Sequence, residues 1–75
     1  MFSKDLFGER LREYRKKSGE KQDDLACILE VGKSHISEME RGNRTTTAEK
    51  IAAICEHYQV SANYLLGLSD DPTLR

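Results

Sequence analysis

Lys33, Ser34, Ser37 and Glu38 bring four hydrogen-bonding side chains into one short stretch of the chain. An ammonium donates to guanine O6 and N7, or simply to a phosphate oxygen. A carboxylate accepts from cytosine N4, and a serine hydroxyl works either way. Wound as a helix, the four share the face opposite Ile36 and Met39, with His35 at the border. Such a set recognises polar edges and breaks no bonds. Around it lie Lys21, Gln22, Arg41, Asn43, Arg44 and Thr45, which suit phosphate oxygens. A helix starting at Gln22 also aims free backbone N–H groups of Gln22 and Asp23 outward, a ready phosphate site. Asp23 and Asp24 must then point away. The plain alternative is that all of these are solvated surface residues, Arg44 a bare exposed charge among them.

Other chemistries find little support. The two cysteines, Cys27 and Cys55, and the two histidines, His35 and His57, have neither the C-x-x-C nor the H-x-x-x-H spacing of a metal site. No metal and no cofactor is expected, and the cysteines read as small apolar helix residues. No carboxylate pair, Ser/His/Asp set or phosphate loop occurs at a convincing spacing, so an enzyme is not expected. The longest apolar run, Ile51 to Cys55, is far below the roughly 18 residues of a membrane span. No N-terminal stretch resembles a signal peptide, and a cytoplasmic protein without membrane contact is expected.

Seventy-five residues make one small domain, 37% apolar, with a net charge of −1. That charge argues mildly against a nucleic-acid binder, but its distribution counts for more than its sum. Residues 1–44 hold ten Lys or Arg against nine Asp or Glu, and residues 45–75 hold two against four. Modest affinity per monomer follows, with dimerisation supplying the rest.

Five helices are expected to position these groups. The first starts at Ser3, a good N-cap, with Phe2 and Phe7 placed for a hydrophobic staple. Phe7, Leu11 and Tyr14 form its inward stripe, and Gly19 ends it after Ser18. The second runs from about Gln22 to Leu29, burying Leu25, Ala26 and Leu29. Glu30-Val31-Gly32 is a turn with Val31 plugging the core. The third spans about Lys33 to Arg41, with Ile36 and Met39 inward and Gly42 ending it. Thr46 or Thr47 caps the fourth, Ala48 to Tyr58, which buries Ile51, Ile54 or Cys55, and Tyr58. Val60-Ser61 leads into a short fifth helix, Ala62 to Leu66, closed by Gly67. One domain over 1–67 and a polar tail over 68–75 result.

Gln22-Asp23-Asp24-Leu25-Ala26, followed ten residues on by Ile36-Ser37-Glu38-Met39-Glu40-Arg41-Gly42, has the spacing of two short helices joined by a tight turn. From about Gly8 to Gly67 the chain resembles the Cro and phage-repressor (XRE-type) family of DNA-binding domains. Val60-Ser61-Ala62-Asn63-Tyr64-Leu65-Leu66-Gly67 is similar to that family's terminal signature. The resemblance implies an all-α, compact five-helix, lambda-repressor-like domain whose third helix enters the DNA major groove. It implies that Lys33, Ser34 and Glu38 read bases, that Gln22 holds the DNA backbone, and that Arg15 pairs with Glu40 to lock the recognition helix. Two departures stand out. Lys21 replaces the usual Ser or Thr cap, leaving Asp23 and Asp24 to supply negative charge to the first turn. Glu30 stands where glycine is common, so it either carries left-handed strain or is spared by Gly32 redirecting the turn.

The implied function is a sequence-specific transcriptional regulator of the repressor type, bound as a homodimer to palindromic double-stranded DNA. A bacterial or phage-encoded, nucleoid-associated protein with no small-molecule ligand is expected. Tyr64, Leu65, Leu66 and Leu68 are the expected dimer surface, the alternative being that Tyr64 and Leu65 only close the monomer core and leave Leu66 and Leu68 too little area for a stable dimer without DNA. The alternative is an antitoxin-type or partner-sequestering module on the same fold.

Overall fold

The computed structural model describes residues 2–73. Met1, and Leu74 and Arg75 of the expected tail, lie outside the described residues. Five helices follow one another: α1 (Lys4–Lys17), α2 (Gln22–Leu29), α3 (Lys33–Glu40), α4 (Ala48–Tyr58) and α5 (Ala62–Leu65). None among the described residues is long and apolar enough to cross a membrane.

Local chemistry sets the ends. Ser3 is extended and its Oγ accepts from the Leu6 N–H at 3.2 Å. The Phe2 and Phe7 rings, 6.4 Å apart, close the staple over that first turn. Thr47, rather than Thr46, caps α4 by accepting from the Lys50 N–H. At α2 a lysine ammonium has no lone pair to offer the first turn. The cap comes instead from the other direction: Asp24 Oδ2 accepts from the Lys21 N–H at 2.9 Å. Asp24 therefore supplies the reciprocal half of a capping box, more than the loose charge that its position suggests.

The turn between α2 and α3 takes the strained path. Glu30 itself is left-handed, with φ 57° and ψ 44°, while Gly32 is extended at φ −76°. Gly32 does not redirect the chain. The Glu30 and Val31 N–H groups close the helix on Cys27 and Ala26 carbonyls. From α4, Lys50 Nζ donates to the Leu29 carbonyl at 2.6 Å, capping α2 across 21 residues of sequence.

Phe7, Leu11, Leu25, Leu29, Ile36, Met39, Ile54, Val60 and Leu65 are fully or almost fully buried and form the centre. Ile54 and Cys55 are both buried, with Ile51 and Tyr58 half-covered beside them. α1 and α3 cross at Gly8, where a Cβ would lie 2.2 Å from the Met39 carbonyl oxygen. Only glycine permits that approach. Leu65 belongs to this core, so it does not contribute to an outer surface with Tyr64, Leu66 and Leu68.

Residues after Gly67 fold back. Arg10 lies 3.9 Å over the Tyr64 ring and donates to the carbonyls of Tyr64 and Ser69, with Asp70 as its ion-pair partner at 3.1 Å. The Ser61 N–H reaches the Pro72 carbonyl at 3.0 Å.

Two substitutions test this frame in opposite directions. Gly8→Ala should destabilise by about 3 kcal/mol, because the methyl meets backbone and not a movable side chain. Glu30→Gly should stabilise by about 1 kcal/mol by removing left-handed strain, raising the melting temperature by about 4–8 °C. Thermal unfolding followed by circular dichroism checks both.

Candidate nucleic-acid interface

α3 presents its polar face because Ile36 and Met39 are locked inward without exposure. Lys33 and Ser34 stand fully outward in its first turn, and Ser37 and Glu38 are half-covered in its second. Lys33 Nζ lies 4.0 Å from Asp23 Oδ1, a loose, exposed contact with the start of α2. Asp23 thus faces Lys33, and Asp24 is turned back onto its own cap.

Glu38 is already engaged. Its Oε1 accepts from Arg41 Nη1 at 3.3 Å and its Oε2 from Asn43 Nδ2 at 3.2 Å. Two of the expected phosphate donors are therefore held by an expected base reader. Lys21, Arg44 and Thr45 are exposed around the same end of the domain.

Behind this face Arg15 and Glu40 meet, their side chains 10% and 4% exposed. Arg15 Nε donates to Glu40 Oε2 at 2.6 Å and Nη2 to Oε1 at 3.0 Å, a two-pronged pair. The bond to Glu40 raises the Arg15 pKa against the opposing effect of burial. Gln22 Nε2 donates to Glu40 Oε1 at 3.1 Å, so the glutamine at the head of α2 joins the pair. Arg15 Nη1 also holds the Glu20 carbonyl at 2.8 Å.

Arg12, Arg15, Gln22, Ser37, Glu40 and Arg41 line one polar cleft between α1, α2 and α3. Arg12 was not singled out in the sequence, yet it precedes Arg15 by one helical turn and so shares its side of α1. A second missed group is Glu20. Its carboxylate accepts from Tyr58 Oη and pairs with His57 Nε2 at 2.6 Å, tying the α1–α2 loop to the end of α4. Burial, followed by the Glu20 bond, pushes the Tyr58 hydroxyl pKa up and keeps it a donor.

His35 is half-buried, and its Nε2 is buried without a hydrogen-bond partner among the described residues. Burial, with the nearby positive charges of Arg44 and Lys50, lowers its pKa below the ordinary histidine value. Cys27 is exposed and Cys55 buried. No group of three or more His, Cys, Asp or Glu able to hold a metal occurs among the described residues.

Two short helices joined by a tight turn, the second held rigidly outward, define a helix-turn-helix domain. The sequence model of the helix-turn-helix domain family matches residues 6–71, and the chain belongs to that family as an XRE-type member. It is 37% identical over 60 residues to the HTH-type transcriptional regulator ImmR of Bacillus subtilis, covering 80% of this chain and 47% of ImmR. It is 31% identical over 67 residues to the uncharacterised regulator YobD of the same organism, covering 89% of this chain and 60% of YobD. The chain thus spans about half the length of these relatives. Among solved structures it is similar to the P22 c2 repressor in complex with a synthetic operator. That match has TM-score 0.77 and 33% identity, covering 84% of this chain and 96% of the other.

Glu40 and Glu38 should differ sharply on substitution although they share a helix. Glu40→Ala strands the Arg15 guanidinium and the Gln22 amide and should cost about 3 kcal/mol. Glu38→Ala breaks only exposed contacts and should cost well under about 1 kcal/mol. Denaturant melts of both, with Arg15→Ala expected to match Glu40→Ala, check the contrast.

Proposed function

We propose that this chain is a sequence-specific DNA-binding transcriptional regulator of the repressor type, acting in the cytoplasm at the nucleoid and not as an enzyme. The observation that carries the reading is the face of α3. Lys33 and Ser34 are exposed and Ser37 and Glu38 half-covered on a helix whose opposite side is locked by Ile36 and Met39, with Glu40 anchoring one flank. A helix entering the major groove reads base edges from its first two turns, where these four lie. Lys21, Gln22, Arg41, Asn43, Arg44 and Thr45 flank it as phosphate contacts, and Arg12 extends that set along the cleft. The similarity to a repressor solved on its operator supports the same use of this helix.

Specificity from so few side chains calls for two copies on adjacent faces of one duplex. The longest dimension of the domain is 27 Å, so two can sit side by side with recognition helices about 34 Å apart. Leu68 is 50% exposed and Tyr64 and Leu66 are half-covered, with Leu65 withdrawn to the core. The Ser3 N–H contacts the Leu66 carbonyl, which brings exposed Phe2 beside the same patch. That apolar area is small, so the homodimer forms mainly on DNA.

Selection of binding sites from random duplexes at stated salt tests the reading. The wild-type chain should return a two-fold symmetric motif. Ser34→Ala with Glu38→Ala should relax it, each lost base contact costing about 1–3 kcal/mol at its own position. Arg44→Ala should instead weaken all sequences alike and lower the salt slope by about one. An unchanged motif in the double variant overturns the recognition-helix assignment, and failure to enrich any DNA favours a partner-sequestering module.

Sedimentation on the selected palindrome should give two chains per duplex, with weak self-association when DNA is omitted. One chain per full palindrome at saturating protein refutes the dimer.

A further inference from the structure

Glu38 occupies a position from which it can hold two kinds of partner. Its side chain is 40% exposed and that of Arg41 66% exposed, so neither is locked. The bond to Asn43 is doubled, because the Asn43 N–H also reaches the Glu38 backbone carbonyl at 3.0 Å. The carboxylate therefore neutralises Arg41 and restrains Asn43, the two groups that leave α3 toward the neighbouring phosphates. It also points its oxygens from the face that enters the groove. A carboxylate has about four acceptor directions, and here one donor occupies each oxygen.

We propose that Glu38 is a specificity-determining partner switch, which rests on the major-groove reading of α3 above. Facing a base that offers only acceptors, such as guanine O6 and N7, the carboxylate is repelled and stays with Arg41 and Asn43. Arg41 then contributes no net charge to the phosphates. Facing a base-edge amine such as cytosine N4, the carboxylate takes that donor, and Arg41 and Asn43 turn to the adjacent phosphates. A correct base is counted twice, once by its own hydrogen bond and once by the phosphate contacts that it releases. The exchange costs little because an exposed ion pair is weak to begin with.

The test uses the full chain and a scrambled duplex with no match to the selected motif, titrated at several salt concentrations. Glu38→Gln should raise affinity for that duplex about fivefold, the upper end of what an exposed ion pair is worth. The salt slope should steepen by about one as Arg41 gains a phosphate. In an Arg41→Ala background the same substitution should change affinity for the scrambled duplex hardly at all. Glu38→Ala should behave as Glu38→Gln does, and circular dichroism of each variant confirms the fold. An equal rise in both backgrounds means simple removal of a negative charge and overturns the switch. A relaxed motif without any gain on scrambled DNA also overturns it, while leaving the recognition face standing. An unchanged motif in the Ser34 and Glu38 double variant removes the groove reading and the switch together.

Discussion

Everything that the outward face of α3 can do depends on the Glu40 carboxylate. It accepts from Arg15 Nε, from Arg15 Nη2 and from Gln22 Nε2, and so joins three helices at one point. Apolar packing by Ile36 and Met39 fixes how deep α3 sits, but dispersion is not directional and permits some rotation about the helix axis. A forked, two-bond pair does not. Burying an ion pair contributes little net stability, so its value here lies in the angle that it imposes. The geometry depends in turn on Gly8. Because no side chain separates α1 from the Met39 and Glu40 carbonyls, α1 lies close enough for Arg15, about two turns further along, to reach Glu40.

The helices were legible because their signals are local. Ser3, Thr47, Gly19 and Gly42 mark ends by conformations or hydrogen bonds that involve only their own neighbours, and the apolar positions repeat within each helix. The face carrying Lys33, Ser34, Ser37 and Glu38 followed from the same periodicity. Glu30 marks the limit of that reasoning. Glycine two residues later offered an unstrained alternative, yet the Ala26 and Cys27 carbonyls are satisfied only when residue 30 itself turns left-handed. Closing the helix outweighed about 1 kcal/mol of backbone strain.

Long-range polar contacts were not legible. Glu20 meets His57 and Tyr58 across 37 and 38 residues, and Lys50 caps α2 from another helix. Nothing in the local pattern distinguishes these side chains from ordinary solvated ones. The sequence leaves Leu65 open between an outer surface and the core for a related reason. A four-residue helix cannot show which of its apolar side chains points inward, and the packing against α1 and α4 decides it. The fold-back of Ser69 and Asp70 onto Arg10 likewise depends on α1 and α5 being adjacent, which the order of elements alone does not reveal.

A net charge of −1 is compatible with DNA binding because the carboxylates are placed in two different ways. Glu38 and Glu40 lie two residues apart, about 200° around the helix, so one faces outward and the other the interior. Glu40 is 4% exposed and Arg15 10% exposed, so losing the carboxylate leaves a buried guanidinium without its counter-charge. Glu38 is 40% exposed, and its partners can reach water or phosphate at little cost. The same chemical group is a fixed joint in one environment and an exchangeable contact in the other. Burial alone makes the difference, and it lets a weakly acidic chain keep exposed cations neutralised by contacts that are free to exchange.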